Sequence, residues 1–355
     1  MNGLMTEREW IRQAYRRRPR PQWWGAQCLF AVKTRPDFRK DRAFWAFLLL
    51  LSLIAALLLP LMRPMPETSA VWAWQDRPVQ EADRPRHVAA ITYALPAGIE
   101  LQPQTYTRQQ LLRGKLLLLD ADHELPAGVP PPNTLSIANE GKGMIPVAGL
   151  DIKSGKETIA ALGEWFGELR RHGVSGFSVC RGTMSIAQQR SRLSGQAHAL
   201  LEKWPLSQAL SRACDGMDWP GTGDCLQEYT VSIRSSDGQP LDGSAGGRLL
   251  LRTAWRYGFI RRYPNGEGEK ANQFRYVGRV HAMAMTYLDL TMEKYLDWLH
   301  RVGVLTISEK EEVKYIIIAS PMETTHIAMQ LPKNAVYETS LDNMGFAIAA
   351  CELKP

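Results

Sequence analysis

The chain has 355 residues, a formal net charge of +7 and five cysteines. That length allows one large domain or two small ones, with a core able to fold unaided. Its charge is unevenly spread: residues 1–42 hold 11 Lys and Arg against four Asp and Glu, whereas residues 63–355 hold 32 of each sign. The basic total is therefore no sign of a nucleic-acid partner, because the main domain is neutral and the excess sits in one tail.

Residues 43–62, AFWAFLLLLSLIAALLLPLM, carry no charge, and a helix of that length spans about 30 Å, the hydrocarbon thickness of a bilayer. Phe44, Trp45 and Phe47 stand at its start as interfacial anchors, and Arg63 and Pro64 close it. The Lys/Arg excess assigns the preceding flank to the cytoplasm. A cleaved signal peptide fits less well, since its basic region is short and its apolar core about 7–15 residues. The expectation is a single-pass protein of the cell membrane, with a cytoplasmic N-terminus and the main domain outside. In the tail, the run Arg16-Arg17-Arg18-Pro19-Arg20 and the pair Trp23-Trp24 read as a topology signal with interfacial aromatics. They also suit anionic head groups or a cytoplasmic partner.

Cys28 falls in the tail; Cys180, Cys214, Cys225 and Cys351 fall in the domain outside. Cys214 and Cys225 flank a loop rich in Gly, Pro and Asp, which permits a disulfide between them, although four cysteines allow three complete pairings.

Along the chain, prolines at 64, 66, 78, 85, 96 and 103 mark residues 63–113 as a stalk and lead-in, with a short helix over 107–113. Residues 115–120 form an apolar run of strand length. Ile159, Leu162, Trp165, Phe166 and Leu169 have helical spacing over 157–172, and Gly173 stands at a helix stop. A strand over 176–180, a helix over 185–203, a strand over 228–234 and a buried helix over 247–257 follow. After them come a short strand over 274–277, a long helix over 281–302, and strands over 314–319, 325–331 and 345–351. This mixture of helices and short strands is α+β in class.

Several segments, in order, resemble the VanY-type D-alanyl-D-alanine carboxypeptidases, zinc enzymes that trim peptidoglycan stem peptides. Leu118-Leu119-Asp120-Ala121-Asp122-His123-Glu124-Leu125-Pro126 is similar to the family's VN-x-x-H-x-LP segment, and residues 173–188 occupy the place of SGYRS-x-x-x-Q. Tyr257-Gly258-Phe259-Ile260-Arg261-Arg262-Tyr263-Pro264 and Phe274-Arg275-Tyr276-Val277-Gly278-Arg279-Val280-His281-Ala282 resemble YGF-x-x-RYP and FRYVG-x-x-HA. Residues 290–299 are similar to the family's last helix. Ordered motifs at family spacing are far harder to match by chance than one motif. The organisation implied is a cytoplasmic tail at 1–42, a transmembrane helix at 43–62 and a stalk and lead-in at 63–113. A VanY-like carboxypeptidase domain at 114–302 and a small β-rich C-terminal extension at 303–355 complete it.

The resemblance breaks at the chemistry. Zinc hydrolysis needs three protein ligands with an open position for water, and a carboxylate to take the water's proton. The family draws two ligands from S-x-H-x-x-G-x-A-x-D and the base and third ligand from EPWH. The corresponding ligand positions here are Cys225, Ser232 and Gln273, and the base position is Lys270. The arginine of SGYR, which in the family grips the peptide's terminal carboxylate, is aligned with Thr183, and its companion with Gln188. The reading is a membrane-anchored, non-catalytic, cofactor-free carboxypeptidase-like protein. Its groove, lined by Thr183, Gln188, Cys225, Ser232, Lys270 and Gln273, would accept a peptidoglycan stem peptide or the chain of a membrane or cell-wall protein. The alternatives are an active peptidase with a zinc site rebuilt from Cys225, Glu228, Asp224 or His281, and a purely structural membrane component. The strand-rich end reads equally as a docking surface or as packing of the same domain.

Overall fold

The computed structural model describes residues 88–214, 217–266, 270–309, 312–322 and 326–354. The basic tail, the apolar segment 43–62, Cys28 and residues 63–87 lie outside the described residues. Among the described residues no helix is long and apolar enough to cross a membrane.

In chain order the elements are β1 (Val88–Thr92), β2 (Leu101–Thr107), β3 (Thr134–Ser136), β4 (Lys153–Gly155), α1 (Lys156–Arg171), β5 (Phe177–Arg181), α2 (Ile186–Leu200), α3 (Leu206–Cys214) and β6 (Thr230–Ser235). They continue with α4 (Ala245–Thr253), β7 (Phe259–Arg261), β8 (Gln273–Tyr276), α5 (Arg279–Leu288), α6 (Met292–Val302), β9 (Val304–Glu309), β10 (Glu312–Pro321), β11 (His326–Pro332), β12 (Ala335–Leu341) and β13 (Phe346–Leu353). The class is α+β, as the sequence implies. A four-stranded sheet in the order β5-β6-β8-β7 carries the cleft described below, and a five-stranded sheet runs β1-β9-β10-β13-β12.

Helix α1 exists because its apolar residues fall on one stripe. Ile159, Leu162, Trp165, Phe166 and Leu169 are buried against the four-stranded sheet, and Gly173 ends the segment at φ +70°, a conformation glycine adopts without steric cost. Trp165 stacks on Phe259 at 5.1 Å, meets Phe274 edge-on at 5.2 Å, and donates its indole N–H to Thr253 Oγ1 at 3.0 Å. The indole is thus both packed and satisfied.

The five-stranded sheet is covered on both faces, and side-chain alternation shows how. In β10, Ile317 and Ala319 join the core under α5 and α6, while Ile316 and Ile318 join a second core. In β13, Ile348 and Ala350 face the first, and Ala347, Ala349 and Cys351 the second. The second core is closed by the β2–β11 ribbon and by Leu111, Leu117 and Leu119. Strands β9 to β13 accordingly pack into the same body. Residues 88–113 likewise belong to it, since β1 pairs with β9 and β2 with β11.

Two predicted elements differ. Residues 115–120 form no strand: Leu116 and Leu118 enter one core, and Leu117 and Leu119 the other. The alternation of a strand is present, but its partners are single groups, with Leu118 N–H donating to Asp342 O at 3.0 Å and Leu116 N–H to Ser340 Oγ at 3.0 Å. The long helix over 281–302 is two helices, because Asp289 takes a left-handed backbone at φ 54° and Thr291 starts the next one. Asp tolerates that conformation better than most residues.

Candidate functional site

The cleft begins with an irregularity in β5. Val179 lies opposite Ile233 of β6, and Arg181 opposite Ser232, so Cys180 is an extra residue between them. A bulge of this kind re-aims the next side chain, and Arg181 lines the cleft. Gly182 follows, where a Cβ would fall 2.0 Å from the Lys153 carbonyl oxygen. Only glycine allows that close passage towards α2. Ser232 in turn lies opposite Gln273 of β8.

Cys225, Ser232, Lys270 and Gln273 all line this cleft of about 480 Å3, mouth included, together with Arg181 and Gln189. Cys225 sits in a single 3-10 turn, Asp224–Leu226. Its Sγ accepts from Gln189 Nε2 at 3.0 Å, and Gln189 Oε1 accepts from Gly221 N–H at 2.9 Å. Burial pushes the Cys225 thiol up to about 11, against a smaller lowering by the Gln189 hydrogen bond. It is therefore a thiol and not a thiolate at neutral pH. Lys270 places Nζ 2.9 Å from Asp218 Oδ1 and 5.1 Å from the Tyr263 ring centre. Burial raises the Asp218 carboxyl above the ordinary range, opposed by Lys270.

Three expectations need correction. Thr183 does not line the cleft; its hydroxyl donates to Gln227 O at 3.2 Å and its N–H to Lys153 O at 2.8 Å. Gln188 is exposed and folds back as the capping partner of Ser185, whose N–H it accepts at 2.8 Å. The polar groups in the cleft at these places are Arg181, two residues earlier, and the buried Gln189. An arginine is thus present, and Ser178-Val179-Cys180-Arg181 keeps the Ser and Arg of SGYR. The third correction is the disulfide: Cys214 and Cys225 are not joined, nor are Cys180 and Cys351 in disulfides. Cys214 ends α3, whereas the Cys225 sulfur is turned into the cleft towards Gln189.

The donor set does not fit zinc. Ser232 and Gln273 are neutral oxygen or nitrogen donors, and Lys270 brings a positive charge, which leaves Cys225 alone of the aligned positions as a good zinc ligand. The residues considered for a rebuilt site are occupied elsewhere. Asp224 is fully buried, with Arg275 Nη1 at 3.0 Å from Oδ1 and Arg262 Nε on Oδ2. Glu228 accepts from the Asn133 N–H. His281 is buried with its Nδ1 2.9 Å from the Tyr295 hydroxyl, and burial lowers its pKa to about 3. Among the described residues no group of three or more His, Cys, Asp or Glu is placed to hold a metal.

Beneath the cleft lies a charge network that the sequence motifs build. Arg262, from the segment resembling RYP, also pairs with Glu293 of α6. Arg275, from the segment resembling FRYVG, donates to Lys115 O at 2.9 Å and to the Gln227 side chain. Both guanidiniums are fully enclosed. They tie the 3-10 turn carrying Cys225 to β8 and α6.

No family model matches the chain. A D-alanyl-D-alanine carboxypeptidase of Enterococcus faecium is 25% identical over 252 residues, which is 68% of this chain and 77% of that protein. Among solved structures, the D,D-dipeptidase VanXYg in complex with a D-Ala-D-Ala phosphinate analogue superposes with a TM-score of 0.59. It is 14% identical and covers 71% of this chain and 99% of its own. VanYB in complex with D-alanine-D-alanine is 22% identical, covering 52% of this chain and 97% of its own, with a TM-score of 0.42.

Proposed function

We propose that this chain, a relative of the VanY-type D-alanyl-D-alanine carboxypeptidases, is a membrane-anchored, non-catalytic member that binds peptide chain ends at the cell wall. One observation carries the reading: the three positions aligned with the family's metal ligands, Cys225, Ser232 and Gln273, share one cleft yet offer no charged donor. The base position holds Lys270, an ammonium that cannot take a proton from water, in an ion pair with Asp218. The cleft keeps its arginine, Arg181, which suits recognition of a carboxylate. The ligand class follows from the relatives, whose names point to peptides ending in D-Ala-D-Ala. Anchoring by residues 43–62, with the basic flank of residues 1–42 inside, would hold this cleft on the outer side of the membrane, where peptidoglycan lies.

The test combines metal analysis of the purified full-length chain with assays of D-alanine release and of peptide binding. Binding of a D-Ala-D-Ala peptide, with neither stoichiometric zinc nor D-alanine release, is expected. One zinc per chain together with release of terminal D-alanine would refute the non-catalytic reading.

A further inference from the structure

The turn between α2 and α3 has an unusual composition. Turns favour Gly, Pro, Asn, Asp and Ser, whereas residues 200–206 read Leu-Leu-Glu-Lys-Trp-Pro-Leu. The turn is well defined: Trp204 N–H donates to Leu200 O at 3.0 Å, and Pro205 O accepts from Gln208 and Ala209 N–H at 2.9 Å. Leu201 and Leu206 are 39% and 41% exposed, two of the six large apolar side chains left in solvent among the described residues. Trp204 stands between them, its ring centre 3.7 Å from the guanidinium carbon of the exposed Arg212. The side chains that the hairpin buries, Leu193, Ala197, Ala209 and Leu210, belong to none of the three hydrophobic cores. The two helices therefore close on each other and leave the apolar tip outward.

Charge follows the same element. Residues 186–214 hold four Lys and Arg against one acid, Glu202, whereas the remainder of residues 63–355 holds 28 bases against 31 acids. Exposed leucines, an amphipathic indole and basic side chains together match a lipid interface. The leucines suit the acyl boundary, the indole sits at head-group level, and Lys and Arg reach the phosphates.

We propose that the α2–α3 tip, through Leu201, Trp204 and Leu206 with Lys203 and Arg212, docks on the surface of an anionic bilayer. This rests on the membrane-anchored reading above and adds a second contact, made by the folded domain itself. Gln189, on the same helix, lines the cleft, and Leu201 is about 18 Å further along the helix axis. Docking at the tip thus keeps that wall of the cleft within about 18 Å of the head groups, so the cleft serves ligands attached to the membrane or close to it.

The experiment measures hydrogen exchange by mass spectrometry on the full-length chain in nanodiscs of phosphatidylcholine, in nanodiscs containing phosphatidylglycerol, and in detergent. Peptides covering residues 200–208 exchange at least about fivefold more slowly in the anionic discs than in the neutral ones, the effect of one basic side chain near an anionic surface. Peptides of α1 exchange equally in both. The slowing is lost in Leu201→Ser/Leu206→Ser and in Lys203→Gln/Arg212→Gln, each variant being compared with itself in the two lipids. Equal exchange of the wild-type tip in both discs, or slowing that survives the leucine substitutions, overturns the docking and leaves the anchor standing. Slowing that rises with protein concentration in detergent would assign the tip to a second copy of the chain and overturn the proposal too. A chain that enters neither kind of disc removes the anchor reading, and this proposal with it.

Discussion

Asp224→Asn is the sharpest test of the charge network, because it keeps side-chain volume and one acceptor while removing the carboxylate shared by Arg262 and Arg275. All three side chains are fully enclosed. Arg262 retains Glu293, which is partly exposed, but Arg275 is left with neutral partners alone. Burial already holds the Arg275 pKa below its ordinary range, and Asp224 is the main group opposing that shift. Breaking a buried pair from one side costs about 3–5 kcal/mol, since a charge is left uncompensated away from water. For a domain of this size that lowers the melting temperature by about 6–20 °C. Thermal unfolding followed by circular dichroism measures it, with Lys270→Ala as the comparison. Its partner Asp218 can be discharged by taking up a proton, since burial already raises that carboxyl, so removing Lys270 costs less than stranding Arg275, which stays charged. A midpoint for Asp224→Asn as close to wild type as that of Lys270→Ala would refute the structural role given to the network.

Installing the carboxypeptidases' residues through Cys225→His, Ser232→Asp, Lys270→Glu and Gln273→His should create a site that holds one zinc per chain in equilibrium dialysis, since all four positions face one cleft. No gain over wild type would mean that the aligned positions do not converge. His281 supplies a pH test: its pKa falls from 6.5 to about 3 on burial, so the unfolded state takes up a proton that the folded state refuses. Stability from this group is complete above about pH 6.5 and is lost progressively as pH falls towards 3. His281→Gln should therefore flatten the acid limb of the urea midpoint plotted against pH; parallel curves for the two proteins would exclude the effect. Cys225, buried with its thiol pushed up to about 11, should resist iodoacetamide at pH 7.5 in the folded chain and react on unfolding, and rapid native labelling would contradict its placement.

The sequence makes regular elements legible where a repeating physical pattern writes them. The apolar stripe from Ile159 to Leu169 predicts α1, and the same residues are buried in the structure. Aligned motifs also bring Cys225, Ser232, Lys270 and Gln273 to one cleft, because strand pairing carries register over long separations. The bulge at Cys180 is not written that way. One extra residue leaves composition and hydropathy unchanged, yet it decides that Arg181 and not Thr183 faces the cleft. Gln188 and Gln189 are adjacent and identical in type, and only the cap set by Ser185 separates the exposed one from the buried one. The sequence signal for Arg181 is Ser178-Val179-Cys180-Arg181, which carries the Ser and Arg of SGYR two residues before Thr183.

Asp224 and Cys225 show how a fold and its site separate at the scale of one peptide bond. Asp224 turns inward to Arg262 and Arg275, and Cys225 turns outward to Gln189 and the cleft. The segments most similar to the carboxypeptidases contain those two arginines, so in this chain the resemblance marks the network that holds the turn in place. A substitution at Cys225, Ser232 or Gln273 changes what the cleft offers a ligand without removing any partner of Asp224. The residues facing a ligand can therefore change while the architecture is kept, because the charges that position the cleft are not the groups that line it.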